Sequence, residues 1–225
     1  MKKIVLFVIN LIFSSMIFAE TISFSADSMT GSTGSKNTST RLIGRASITT
    51  ESIAIKADSI ELYGDNFRFI TALGSVSGIN NENNMEFTCE KLKYDRETKL
   101  ITLENDVHLT DNDIEADAQL IEYNQKEDIA ILQINVNLKQ KDNICTASYA
   151  IYRKQQQTLD MSGNPQVIQG KDSFKAQEIT LNLETQEITL DGRVRGSITS
   201  EAEEPPSDTD SIDKSEQDQN DISEQ

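Results

Sequence analysis

An eight-position motif returns through this chain at a nearly fixed interval, and that period constrains the fold more than any other feature. It runs apolar, any, small, any, any, apolar, any, Leu or Tyr, and is clearest at Ile55, Ala57, Ile60 and Leu62 and at Phe174, Ala176, Ile179 and Leu181. The small residue falls at Ala26, Ala57, Cys89, Ala118, Ala147 and Ala176, so the steps between copies are 31, 32, 29, 29 and 29 residues. A period that regular marks stacked supersecondary units, none of which can bury its apolar face alone.

Each copy is followed, about 16 to 20 residues after its small residue, by a second apolar segment. That segment tends to end in Gly or Asn and then Val, as in Gly74 with Val76, Asn105 with Val107 and Gly192 with Val194. It alternates plainly: Ile188, Leu190, Gly192 and Val194 share one face, and Thr189, Asp191, Arg193 and Arg195 the other. Polar stretches such as residues 95–99 and 124–128 separate the two segments and have the length of antiparallel reversals rather than helical crossovers. No helical period competes. The sequence therefore predicts an all-β, repeat-built antiparallel β-jellyroll, V-shaped, of about twelve strands, two per repeat.

Within a copy the parity changes. Phe174 and Ala176 share a face, as do Ile179 and Leu181, but the step from Ala176 to Ile179 is odd. A bulge or bend after the small residue must restore the second pair to the inner face. The inward columns are then Ile55, Ala57 and Ile60; Phe87, Cys89 and Leu92; Ala118 and Ile121; Ala147 and Ala150; and Phe174, Ala176 and Ile179. The second strands add Val76, Val107, Val136 and Val194. Together they form one apolar strip along the stack, either closed and packed or open along one side to an elongated apolar guest. The first copy departs from the pattern after Met29, where the Gly- and Ser-rich residues 30–39 read as a flexible loop.

Lys2 and Lys3, the apolar residues 4–18 and Ala19 have the order of a secretory signal peptide over residues 1–19, with cleavage expected after Ala19. About 15 apolar residues are few for a membrane span. The larger Ile17 leaves an uncleaved inner-membrane anchor as the alternative. Residues 20–200 then form one β domain. The formal net charge is −16; residues 201–225 contribute −9, ten acids against Lys214, and the leader lysines +2, which leaves −9 on the body. Composition predicts a disordered acidic tail over 201–225, and like-signed body and tail exclude nucleic acid as a partner.

Export places Cys89 and Cys145 in an oxidising compartment, but Cys89 fills a small-residue position and Cys145 lies two residues before another, two repeats on. That separation is too great for a bond, so both read as buried free thiols. The one histidine, His108, has the outward parity and no apparent partner; with no nucleophile or ligand cluster in sight, the sequence predicts neither an enzyme nor a cofactor nor a metal site. The acids beside the small residues, Asp58, Glu90 and Asp117, read as a solvated outer face. Tyr94, Tyr123 and Tyr152 share one column, which reads as core.

An export leader followed by repeats of the form Ile-x-Ala-Asp-x-Ile-x-Leu and Leu-x-Gly-x-Val resembles the OstA-like family, which includes the LptA proteins of lipopolysaccharide transport. The matches are clearest at residues 55–62 with 72–76, 87–94 with 103–107, and 174–181 with 190–194. The resemblance implies a periplasmic protein that shields the acyl chains of lipopolysaccharide, or another envelope lipid, in an apolar groove lined by the inward columns above. It implies edge-to-edge assembly with related jellyroll proteins of the inner and outer membranes, and head-to-tail self-association. An inner-membrane-anchored, LptC-like partner of the same fold and a closed structural scaffold that binds nothing are the alternatives.

Overall fold

A computed structural model describes residues 21–32, 38–82 and 84–199. Residues 1–19 and 201–225, the expected leader and tail, lie outside them. Antiparallel strands make up nearly the whole of the described chain, beginning with β1 (Ser23–Ser25), β2 (Ser28–Ser32), β3 (Ser39–Thr49), β4 (Ile53–Tyr63), β5 (Phe69–Asn80) and β6 (Met85–Asp95). There follow β7 (Leu100–Asp111), β8 (Ile114–Asn124), β9 (Ile129–Gln140), β10 (Asn143–Arg153), β11 (Thr158–Ser162) and β12 (Gln166–Gln169). The last are β13 (Asp172–Lys175), β14 (Glu178–Asn182), β15 (Ile188–Asp191) and β16 (Arg195–Ser197). One 3-10 turn, Asp65–Phe67, interrupts them.

The expected twelve strands are sixteen segments, and the difference has one cause. From β3 to β10 each strand pairs continuously with its neighbours except for a register shift at mid-length, as between Lys56 and Ser59 on β4. Toward both ends of the sheet the strand breaks at that same line. Thus β1 and β2 both pair with β3, and β11 and β12 both pair with β10. Farther out, β14 pairs with β15 and β13 with β16. Twelve passes of the chain, four of them broken, give the sixteen segments.

The shift lies where the odd step requires it. Beside Ala57, Cys89, Ala118 and Ala147 the ladder skips, and the facing strand answers with two consecutive residues at positive φ. Gly74 and Ser75 stand at φ 76° and 46°, Asn105 and Asp106 at 65° and 47°, and Gly192 and Arg193 at 69° and 51°. Glycine is required where the opposing side chain crosses closely: a Cβ on Gly74 would lie 2.4 Å from Asp58 Oδ2, and one on Gly192 2.2 Å from Gln177 Oε1. Ile134 takes this role at φ 63° with a β-branched side chain, a conformation costing roughly 1–2 kcal/mol.

The line of shifts folds the sheet into two walls. One holds β1, β12, β13, β16 and the halves of β3–β10 that include Ile48, Ile55, Phe87 and Leu109. The second holds β2, β11, β14, β15 and the other halves, with Ile60, Leu92, Ile121 and Leu159. Side chains on one face of each wall are almost wholly buried, Leu42, Leu92, Ile101, Leu159 and Leu181 among them. Among the described residues no helical layer covers that face, and the walls bury it against each other. The sheet does not close into a barrel: β1 with β2 and β15 with β16 remain as edges.

At the first edge, Thr30, Gly31 and Ser32 belong to β2 and pair with β3 rather than forming the loop expected from composition; 33–37 lie outside the described residues. Cys89 and Cys145 are free and buried, four strands apart in the sheet. At about 4.8 Å per strand that is roughly 19 Å, beyond the ~7 Å Cα limit of a disulfide. Burial pushes the Cys89 thiol up to about 11 and the Cys145 thiol up to about 12. Neither thiol should react with iodoacetamide in the folded protein at pH 8, and both should react on unfolding. A mass increase from either before unfolding would show that the walls open to reagent.

Candidate functional site

The space between the walls takes side chains of the same kind from the second repeat to the sixth. Ile55, Ala57, Ile60, Val76, Phe87, Cys89, Leu92, Val107, Ala118, Ile121, Val136, Ala150 and Ile179 all point into it and are buried. Ala147 and Ala176 are half-buried and pack on its margin, and Phe174 is half-buried. Val194 departs from the expected inward column: it is 54% exposed. It lies in the final pass between β15 and β16, where no further strand covers it.

Where the walls meet again, opposite the line of shifts, their lips carry two columns of different chemistry. On the first wall the last inward position of five of the six even passes is polar: Thr50, Asn80, Asp111, Gln140 and Gln169, at steps of 30, 31, 29 and 29 residues. All but Gln169 are buried. Facing them on the second wall stand Tyr94, Tyr123 and Tyr152, with rings in the core and hydroxyls at the lip. Tyr94 Oη lies 3.1 Å from Ser52 Oγ across the gap and donates at 3.2 Å to Gln125 Oε1. Tyr123 donates at 2.9 Å to Asp128 Oδ1. Burial, and then the nearby Asp111 carboxylate, push the Tyr152 hydroxyl up to about 12, so it stays protonated. The tyrosine column is thus core at one end and a hydrogen-bonding lip at the other.

Three sets of contacts fasten the lips. Lys99 Nζ donates at 3.3 Å to the same Ser52 hydroxyl; Lys154 Nζ meets Asp111 Oδ2 at 2.6 Å; and Asn143 donates to Gln186, which also accepts from Gln169 at 3.2 Å. Behind the Lys154–Asp111 pair lies a void of about 30 Å³, lined by Met85, Leu109, Ile121, Tyr123, Leu132 and Leu138 among others.

The outer faces carry less organised chemistry. His108 points outward as expected but is not alone: its Nδ1 lies 2.8 Å from Asp117 Oδ1, its cross-strand neighbour, and both are half-exposed. A shallow hollow of about 480 Å³ on the outside of the first wall is lined by Ser47, Lys56, Ser77, Thr88 and His108, all on the solvent side of their strands. Among the described residues no group of His, Cys, Asp or Glu side chains is arranged to hold a metal ion. No helix among them is long and apolar enough to cross a membrane.

The polar lip column and the His108–Asp117 contact were not anticipated from the sequence. The first has a signal of its own, a five-fold recurrence as regular as that of the small residues.

A family model described as OstA-like protein matches residues 20–169. No curated protein matches the chain in sequence. Among solved structures, this chain is similar to LptH from Pseudomonas aeruginosa, described as the LptA homologous periplasmic component of the conserved lipopolysaccharide transport device. The identity is 13%, over 80% of this chain and 96% of that one, with a TM-score of 0.26.

Proposed function

The chain belongs to the OstA-like protein family, and from that premise we propose that it is a periplasmic carrier in lipopolysaccharide transport, holding acyl chains between its two walls. The observation that carries the reading is the apolar strip: the same inward columns are buried from the second repeat to the sixth, from Ile55 and Ile60 through Phe87 and Leu92 to Ile179. A strip that passes from one repeat to the next suits an elongated apolar guest, and ligand sites are in general concave and mostly apolar. The edges support the bridging half of the reading. β1 and β2 expose Phe24 (53%) and Met29 (55%), and the last pass exposes Val194 (54%) and Ile198 (78%). An unpaired strand with apolar side chains invites another strand, and joining one molecule's last strand to the next molecule's first gives an open, head-to-tail assembly. The partners would be like-folded proteins of the inner and outer membranes, or further copies of this chain.

A closed structural scaffold is the second reading, favoured by the fastened lips and the small void. One experiment separates the two. A photo-crosslinking residue at Leu92 or Ile121 should capture lipid in the protein's own host, and one at the outward Lys93 or Glu122 should not. Equal capture on both faces, or none on either, would favour the scaffold.

A further inference from the structure

A carrier built this way has a loading problem. The void behind the Lys154–Asp111 pair holds about 30 Å³, far less than an acyl chain needs, so the walls must part there before a chain goes in. The lips resist parting unevenly. The Lys99–Ser52, Tyr94–Ser52 and Asn143–Gln186 contacts join groups that water satisfies readily once exposed. Lys154–Asp111 is different: it is an ion pair at 2.6 Å, with side chains 23% and 6% exposed, and it roofs the void itself. Separating it leaves two charges in a low-dielectric margin, which is unfavourable unless a new partner takes the place of one of them. On the same lip, in the next strands, Gln140 Oε1 and Asn143 Oδ1 are buried acceptors with no hydrogen-bond partner among the described residues. The lip is therefore polar, tightly paired where Lys154 and Asp111 border the void and short of donors in the strands beyond it.

Resting on the carrier reading above, we propose that the lip is a side gate held shut by Asp111 and Lys154, and that Lys154 selects the lipid. As the walls part, its ammonium passes from the Asp111 carboxylate to an anionic head group while the acyl chain enters the void behind. Asp111 turns to solvent with the opening lip. A neutral amphiphile offers Lys154 no counter-charge and leaves it unpaired at an apolar margin, so it opens the gate poorly. A ligand shifts such an equilibrium only by its differential affinity for the open state, and here the head group supplies that difference. The orphan acceptors on Gln140 and Asn143 are placed to receive hydroxyl or amide donors from the region that links head to chain.

Fluorescent cis-parinaric acid and its methyl ester test this on the full chain, since they share one acyl chain and differ only in the charge of the head. The wild-type protein should take up the acid about tenfold more tightly than the ester. Lys154→Met should bring that ratio close to one, and Asp111→Asn, which frees Lys154, should speed uptake of the acid. A cross-seam disulfide between Asn143→Cys and Gln186→Cys should block uptake when oxidised and restore it on reduction. If Lys154→Met keeps the wild-type ratio, Lys154 does not select; if the oxidised disulfide variant fills as fast as the reduced one, chains do not pass the lip. Either result overturns the gate and leaves lipid carriage standing. Failure of the wild-type protein to take up either probe overturns both.

Discussion

Leu92→Ala is expected to lower the free energy of unfolding by about 3 kcal/mol, whereas Lys93→Ala, the next residue on β6, should change it by less than ~1 kcal/mol. Leu92 is fully buried in the second wall, one position past the shift line, between Ala72 on β5 and Leu103 on β7. The small Ala72 cannot swing in to fill the vacated volume, so the transfer loss and the cavity add. Lys93 points outward, is half-exposed and pairs with Glu104 at 2.6 Å; Glu104 keeps Lys91 at 2.8 Å when Lys93 is removed. Urea unfolding followed by circular dichroism measures both. A domain of this size holds only about 5–15 kcal/mol in total, so the Leu92 effect is easily seen. Equal effects at the two positions would mean that the register of β6 is misplaced, since a slip of one residue exchanges the two faces.

That contrast also shows how much was legible in the sequence. Side-chain alternation fixes Leu92 inside and Lys93 outside without any coordinates, and the odd step from Cys89 to Leu92 already demands the ladder shift observed there. Local pattern carries such facts because each depends on only a few neighbouring residues. The lip column does not work that way. Thr50, Asn80, Asp111 and Gln140 sit at strand ends beside turns, where polar residues are expected for reasons of solvation. Only the folding of one wall onto the other reveals that they are buried and that Asp111 lies beside Tyr152. His108 and Asp117 meet for a similar reason: their contact depends on the register of β7 against β8, which the repeat period alone leaves open by one or two residues. Val194 fails in the opposite sense. Its column is correct for a strand covered on both sides, but the last pass has a neighbour on one side only, so the repeat pattern persists where the burial it implies does not.

Removing residues 201–225 is expected to strengthen self-association about tenfold at low salt, by the following balance of charge. The tail carries −9 and begins in sequence four positions after the end of β16, the last strand, to which another copy's first strand would add. The incoming body also carries −9. Unit charges ~10 Å apart in water repel by about 0.4 kcal/mol per pair, so three or four such pairs give roughly 1.4 kcal/mol, a factor of ten in the dissociation constant. The repulsion is between exposed charges, so 1 M salt, with a Debye length of about 3 Å, should nearly abolish the difference between full-length and truncated protein. The exposed edge residues Val194 and Ile198, which provide the attraction, remain in both forms, so association at high salt should persist in each. Sedimentation velocity on the two proteins at 50 mM and 1 M salt decides among three outcomes. Tighter association of the truncated form, converging at high salt, supports edges restrained by the tail. Weaker association after truncation would make the tail an adhesive segment instead. Two strict monomers at millimolar concentration would remove the self-association half of the bridging proposal and leave only assembly with unlike partners.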